Sequence, residues 1–145
     1  GRGEQIAPLP FFPALRGAFL LLIYPGFGIS TAWAYQQLAR YPAALHGEKG
    51  RAQKLVALLQ SGDLTAAGNA FYNSLEAPAL PKYPMLQMYQ EFLRERGVSA
   101  TLMSGSGSTT FAVAADEESG RRLEADFREK FGPTPWLALV PFTSA

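Results

Sequence analysis

The feature that most restricts how this chain can fold is a seven-residue apolar run, AFLLLIY at residues 18–24. A helix that crosses a bilayer needs about 20 apolar residues, so this run is too short to span a membrane. It also lies too far inside the chain, and lacks the basic flank, to be a signal peptide. Pro25-Gly26 closes the run with a turn. A short apolar run ended in this way is typical of a strand buried on both faces or nearly so. With neither a membrane span nor a signal peptide in this run, we expect a cytoplasmic protein.

The composition narrows the kinds of protein that this chain can be. It has 145 residues, 48% hydrophobic and 17% charged, which suits one globular domain at residues 1–145. The net charge of +1 gives no reason to expect a nucleic-acid surface. The chain contains no cysteine, which excludes disulfides, thiolate metal sites and cysteine nucleophiles. His46 is the single histidine, and we interpret it as a surface residue rather than a metal ligand.

Turn residues and apolar periodicity divide the chain into strands and helices. Residues 7–13 are too rich in proline for a regular element, and residues 42–51 are typical of a surface loop. Prolines at 78, 81 and 84 predict a break, after which Pro84 begins a new helix. The pattern predicts strands at 18–24, 100–104, 109–114 and 136–142, and helices at 31–38, 52–60, after Asp63, after Pro84 and after Asp116.

The order of these elements indicates an α+β fold. Two strands joined by a tight turn, with helical crossovers on either side, favour a ferredoxin-like sandwich. We expect a four-stranded antiparallel sheet with helices packed on it. The last helix has a solvated face, because each of four acidic residues stands four positions before a basic one. These pairs are Glu117/Arg121, Glu118/Arg122, Glu124/Arg128 and Asp126/Lys130.

A glycine- and serine-rich segment separates the second and third predicted strands. It contains Ser104, Gly105, Ser106 and Gly107. Small residues let a ligand approach the backbone, and consecutive amide N–H groups in such a turn can hold an anion. No lysine follows the glycines, so the segment is not a P-loop. A flexible linker has the same composition, although a linker would have no purpose between two short strands.

A second candidate binding segment runs from Pro25 to Tyr35. It places a glycine-bearing turn before a helix N-terminus, where anions are favoured, and it sets aromatic residues on the first helical turns. Trp33 or Tyr35 could stack on a planar ring. The alternative is core packing for Trp33 and an ordinary interfacial position for Tyr35.

A third segment, Asn73-Ser74-Leu75-Glu76, follows a predicted helix and is most simply a C-cap and turn. Elsewhere no acid pair, Ser/His arrangement or metal-spaced cluster stands out. The residues therefore predict neither a catalytic residue nor a metal site within this chain.

Together these segments resemble the C-terminal half of the galactokinase, homoserine, mevalonate and phosphomevalonate (GHMP) kinase superfamily. Residues 1–9, GRGEQIAPL, resemble the segment G-x-G-E-x-x-x-P-L/V that precedes this domain. Pro25, Thr31 and Tyr35 match the pattern P-x-x-x-I/S/V-x-T-x-x-x-F/Y. Residues 73–76 resemble the box N-D-L-E with Ser74 in place of Asp, and residues 102–111 resemble the third glycine-rich motif. The combination is similar to the branch that phosphorylates a cytidine-diphosphate-linked methylerythritol.

This resemblance implies an ATP-dependent phosphotransferase that acts on the substrate's 2-hydroxyl, in isoprenoid biosynthesis by the non-mevalonate route. It implies that Tyr35 stacks on cytosine, that Thr31 and the turn from Pro25 shape the base pocket, and that residues 104–107 face the phosphates. ATP, with Mg²⁺, would be bound mainly by an N-terminal domain, whose glycine-rich loop, catalytic Asp and Lys are absent from this chain. Because the chain begins at Gly1 rather than Met, we expect a fragment. We expect it to be inactive alone because the ATP loop and the catalytic Asp and Lys are missing.

The alternative is a non-catalytic ferredoxin-like module that binds a metabolite or another protein. A preceding glycine-rich ATP motif in the gene would favour the kinase, and a start codon close to Gly1 would favour the module. An RNA-binding sheet fits less well, because no basic stripe interleaved with aromatic residues is present.

Overall fold

The computed structural model describes residues 9–142, and a four-stranded antiparallel sheet lies at the centre of the fold. The strands lie in the order β2-β3-β1-β4, so β1 pairs with both β3 and β4. With helical crossovers after β1 and β3, this is the ferredoxin-like arrangement. The predicted α+β sandwich is therefore confirmed. The strands are β1 Phe19–Tyr24, β2 Ala100–Met103, β3 Thr110–Ala114 and β4 Trp136–Pro141.

Seven α-helices connect and cover the strands in the described part of the chain. Two of them begin at the expected caps, because Ser30 Oγ accepts from Trp33 N and Asp63 Oδ1 accepts from Ala66 N. Asp116 caps the last helix in a reciprocal capping box. The helices are α1 Thr31–Leu38, α2 Pro42–His46, α3 Arg51–Ser61, α4 Leu64–Ala70, α5 Glu76–Lys82, α6 Pro84–Glu95 and α7 Glu117–Phe131, and a 3₁₀ turn, Pro13–Leu15, precedes β1.

One face of the sheet forms the main core. Leu21 and Ile23 of β1 are fully buried on it, because alternate residues of a strand share a face. Helices α6 and α7 cover this face and meet in an aromatic cluster, where the Tyr89 and Phe127 ring centroids are 4.8 Å apart. This packing fixes the end of β1 from which the turn at Pro25 leaves.

The opposite face of the sheet is covered less completely. Leu20 and Leu22 are only half-buried there, so β1 is fully buried on one face and partly on the other. The 3₁₀ turn, α3 and α4 supply the apolar side chains on this side. A groove of about 380 Å³ remains beside Leu20, Leu22, Phe111 and Ser104.

Two short helices occupy segments that the sequence pattern assigned to a loop and a break, and those two predictions are wrong. α2 begins at Pro42, and the first position of a helix needs no N–H. In α5, Pro78 lies in the first turn, where backbone N–H groups have no helical partner, so only Pro81 removes a helical hydrogen bond. Burial of Pro78 and Ala79 in the core outweighs that local cost.

Within residues 9–142 no helix is both long and apolar enough to pass through a bilayer. Leu9 to Phe12 form no regular element, as the prolines predict, but Pro13, which the same prediction included, begins the 3₁₀ turn. The rest of the GRGEQIAPL segment lies outside the described residues.

Candidate functional site

The turn after β1 and the loop between β2 and β3 meet at one end of the sheet. β1 and β3 are antiparallel neighbours, with Ile23 opposite Thr110, so the end of one strand lies beside the start of the other. The Ser108 hydroxyl donates to the Phe27 carbonyl. The Thr31 and Ser106 hydroxyl oxygens lie 2.8 Å apart, although the two residues are 75 positions apart in the chain. The fold thus joins the two candidate binding segments.

The glycine-rich segment is an ordered turn and not a linker. Ser104 N donates to Thr109 O at 2.7 Å, and Gly107 N donates to Ser104 O at 2.9 Å. Gly107 has a φ of +88°, which residues with a side chain rarely adopt. A Cβ at this position would lie 2.5 Å from Met103 Sδ and 2.9 Å from Ile29 Cδ1. Any larger residue there would be strained and would have to displace these side chains.

Two neighbouring amides of this loop have no acceptor among residues 9–142. In the described range, the N–H groups of Gly105 and Ser106 donate to no backbone or side-chain oxygen, whereas those of Ser104 and Gly107 are used inside the turn. Gly105 is exposed and Ser106 is half-buried. Successive free N–H groups in a turn of small residues can bind an anion.

Tyr35 lies one helical turn after Thr31 on α1. Residues four positions apart share a helix face, so the Tyr35 ring projects from the same side as the hydroxyl that contacts the loop. Tyr35 is 61% exposed, although its helix neighbours Ala34 and Leu38 are buried. The exposed ring is therefore available for stacking beside the loop.

The other two residues considered for the base pocket lie in packed positions. Pro25 is buried directly after β1, so it contributes to the turn as a packed residue and not as an exposed surface. Trp33 packs edge-on against Tyr83, with 6.0 Å between ring centroids, and Lys82 Nζ lies 4.1 Å from the Trp33 ring centroid. Trp33 thus follows the alternative of core packing.

The segment 73–76 contacts the glycine-rich loop directly. Asn73 Nδ2 donates to Met103 O at 2.7 Å and to Gly105 O at 2.8 Å. Glu76 Oε1 accepts from Met103 N at 2.6 Å. Sequence reasoning interpreted these residues as a turn and gave them no role at the site. Their match to the N-D-L-E box was the only signal, because a contact across 30 residues leaves no local pattern.

A polar chain supports Glu76 from behind. Gln90 is fully buried, and its Nε2 donates to Glu76 Oε1 at 2.6 Å. Arg94 Nη2 in turn donates to Gln90 Oε1 at 2.7 Å. Burial raises the pKa of the Glu76 carboxyl above its usual range, although the Met103 N–H, the Gln90 amide and the Arg94 charge act in the opposite direction.

Ser74 points to a neighbouring cleft instead of the loop. It lines a cavity of about 410 Å³ together with Arg51 and Tyr72, whose ring centroid lies 3.7 Å from the Arg51 guanidinium carbon. His46 is exposed, in agreement with its interpretation as a surface residue. Among residues 9–142 no three His, Cys, Asp or Glu form a group that could hold a metal ion.

The class of protein follows from a family match over more than half of the chain. Residues 55–133 match the family described as GHMP kinases C terminal, and the chain belongs to this family.

Individual relatives show which kinases of known name this chain is similar to. A 4-diphosphocytidyl-2-C-methyl-D-erythritol kinase of Moorella thermoacetica is 33% identical over 134 residues, which cover 92% of this chain and 46% of that enzyme. The crystal structure of a 4-(cytidine 5'-diphospho)-2C-methyl-D-erythritol kinase has a TM-score of 0.67 at 23% identity, over 99% of this chain and 48% of the other. A homoserine kinase from Cytophaga hutchinsonii shares the fold with a TM-score of 0.71 at 20% identity, over 97% and 45% of the two chains. The chain spans about half the length of the relatives it matches.

Proposed function

We propose that this chain is the substrate-side domain of an ATP-dependent kinase that phosphorylates the 2-hydroxyl of 4-diphosphocytidyl-2-C-methyl-D-erythritol. The observation that carries the proposal is the 2.8 Å contact between Thr31 and Ser106. It joins an exposed aromatic helix face to a loop in which two amides have no acceptor among the described residues. A cytidine diphosphate has a planar base and a chain of anionic phosphates, so it can engage both surfaces at once. The identity to the Moorella thermoacetica kinase, 33%, supports this substrate.

Each part of the site has a chemical role in this proposal. The Tyr35 ring stacks on the cytosine, and Thr31 with the turn from Pro25 bounds the base pocket. The loop of Ser104, Gly105, Ser106 and Gly107 faces the phosphates, with the Gly105 and Ser106 N–H groups as the donors. A rigid loop of small residues suits phosphoryl transfer, which depends mostly on positioning and on stabilisation of charge.

The rest of the catalytic apparatus belongs to another domain in this proposal. This chain corresponds to 46% of the Moorella thermoacetica enzyme, and we expect the remaining part to hold ATP, its Mg²⁺ and the catalytic residues. The isolated chain would then bind substrate without turnover, and the complete protein would act in the cytoplasm on a small soluble substrate.

The test is a titration of the ¹⁵N-labelled 145-residue chain with CDP. We expect CDP to shift the amide signals of Gly105 and Ser106 and the ring signals of Tyr35. Inorganic pyrophosphate, which has no base, should shift only the two amides. Because stacking on an aromatic ring contributes about 1–3 kcal/mol, Tyr35→Ala should weaken CDP binding roughly fivefold or more.

Tyr41→Ala is the matched control. Tyr41 is another exposed tyrosine, but it lies just before α2 and outside helix α1, which carries Thr31 and Tyr35. Its CDP affinity should equal that of the unaltered chain. If millimolar CDP shifts neither Tyr35 nor the loop amides, in the isolated chain and in the complete protein, the proposal is wrong.

A further inference from the structure

We propose that Asn73 and Glu76 are positioning residues that clamp the glycine-rich loop and aim its Ser106 N–H at the ligand. The clamp itself stands on contacts in this structure, whereas the identity of the ligand rests on the proposed function.

The clamp acts at the free edge of the sheet. In the described part of the chain, β2 is an edge strand that pairs with β3 alone. The N–H and the C=O of Met103 both point away from β3. The N–H donates to Glu76 Oε1, and the C=O accepts from Asn73 Nδ2. These two side chains thus take the place of a neighbouring strand at the last residue of β2. An edge left unpaired there would be able to shift or fray.

Asn73 suits this role because of its amide. Its Nδ2 carries two hydrogens, and both are used, one on Met103 O and one on Gly105 O. Its Oδ1 accepts from Leu75 N at 3.0 Å, which fixes the amide in the donating orientation. An aspartate has the same size but would present an acceptor to both carbonyls.

The bond to Gly105 O determines where the next N–H points. A trans peptide unit is planar, with its C=O and N–H on opposite sides. Because Asn73 holds the Gly105 carbonyl, the Ser106 N–H of the same peptide unit is directed away from Asn73. This N–H is one of the two loop amides without an acceptor in the described residues. Asn73 therefore orients a donor without touching the ligand.

Glu76 is the second point of the clamp, and its position is itself held. Gln90, fully buried in α6, donates to the same Oε1 that accepts from Met103 N. A glutamine at position 76 would keep this oxygen, whereas an alanine would leave the Gln90 amide and the Met103 N–H without an acceptor. Losing the partner of a buried polar group costs more than the hydrogen bond alone.

The test uses the complete protein that carries this chain and follows hydrogen exchange by mass spectrometry. Asn73→Asp and Glu76→Ala should raise exchange in peptides covering residues 101–108 roughly tenfold or more. Peptides covering α7, residues 117–131, should stay unchanged and serve as the internal control. Glu76→Gln is the conservative variant, and its exchange should be no faster than that of the unaltered protein.

Steady-state kinetics with ATP and the cytidyl substrate separate positioning from mere stability. Asn73→Asp should lower kcat/KM for the cytidyl substrate roughly tenfold or more, with the KM for ATP within about twofold, and Glu76→Gln should restore what Glu76→Ala loses. Unchanged exchange at 101–108 in Asn73→Asp would overturn the clamp, and raised exchange with unchanged kcat/KM would overturn its positioning role. A wild-type protein that does not phosphorylate this substrate would refute the proposed function alone, since the exchange result still decides the clamp.

Discussion

The Thr31 and Ser106 hydroxyl oxygens lie 2.8 Å apart and connect the first turn of α1 to the glycine-rich loop. In the proposed function, this contact would let a single ligand meet the Tyr35 ring and the loop amides together. It also makes each segment a support for the other, with the Ser108 hydroxyl on the Phe27 carbonyl as a second link.

Removing the Thr31 hydroxyl should loosen this connection. Thr31→Val keeps the side-chain shape but loses the hydrogen bond to Ser106, so the free energy of unfolding should fall by about 0.5–1.5 kcal/mol. Thr65→Val in α4, at another exposed threonine, is the control and should change little. Urea denaturation measures both, and equal stability of the two variants would contradict a role for the hydroxyl pair.

The two glycines of the loop should differ in their tolerance of alanine. Gly107→Ala combines a positive φ with close contacts to Met103 and Ile29, so it should lower the free energy of unfolding by about 2–4 kcal/mol. Gly105→Ala also has a positive φ, but nothing lies within 4 Å of its Cβ position, and about 1–2 kcal/mol is expected. Thermal and urea unfolding of the two variants measure the difference. An equal loss at both sites would show that Gly107 is not tightly packed.

Glu76→Gln should stabilise the chain increasingly as pH rises. Burial raises the pKa of Glu76 above its ordinary 4.5, so the folded state binds this proton more tightly than the unfolded state. The contribution of Glu76 to stability is then greatest below pH 4.5, falls as pH rises through the raised pKa, and is level above it. A neutral glutamine at this position does not ionise, so its contribution to stability does not fall as pH rises.

The measurement is the difference in free energy of unfolding between Glu76→Gln and the unaltered chain, taken by urea denaturation across the acid range. A difference that grows with pH and then levels is expected. Because both proteins contain Arg94, whose charge acts against the shift, its effect on other groups cancels in the comparison. A difference that shrinks as pH rises would contradict the direction given for the pKa of Glu76.

Strand positions and helix starts follow from the sequence because their causes are local. The apolar run before Pro25 and the capping residues Ser30, Asp63 and Asp116 act within a few residues of themselves. The helix across Pro78 and Pro81 does not follow, because core burial outweighs the local cost of proline.

Long-range contacts also redirect side chains that helical spacing pairs locally. The pairs Glu117–Arg121 and Glu118–Arg122 form on α7 as predicted. The other two predicted pairs are not formed in the described structure. Arg128 donates instead to the carbonyls of Pro133 and Pro135, and Asp126 pairs with Arg96 at the end of α6.

The candidate site also has one part that the sequence predicts and one part that it does not. Its two segments are visible as motifs, and their order along the chain resembles one kinase family. Their contact is not visible, because it depends on the register of β1 against β3. The clamp by Asn73 and Glu76 is harder still to predict, since it depends on the edge position of β2 in addition to the strand register.

The most direct test of the central claim is a phosphoryl-transfer assay with the product of the complete reading frame. The protein is given ATP with Mg²⁺ and, separately, 4-diphosphocytidyl-2-C-methyl-D-erythritol or homoserine, because enzymes of both names share this fold. We predict phosphorylation of the cytidyl substrate, with kcat/KM lowered roughly fivefold or more by Tyr35→Ala and unchanged by Tyr41→Ala. Preferential phosphorylation of homoserine, or equal activity of the two tyrosine variants, would contradict the account.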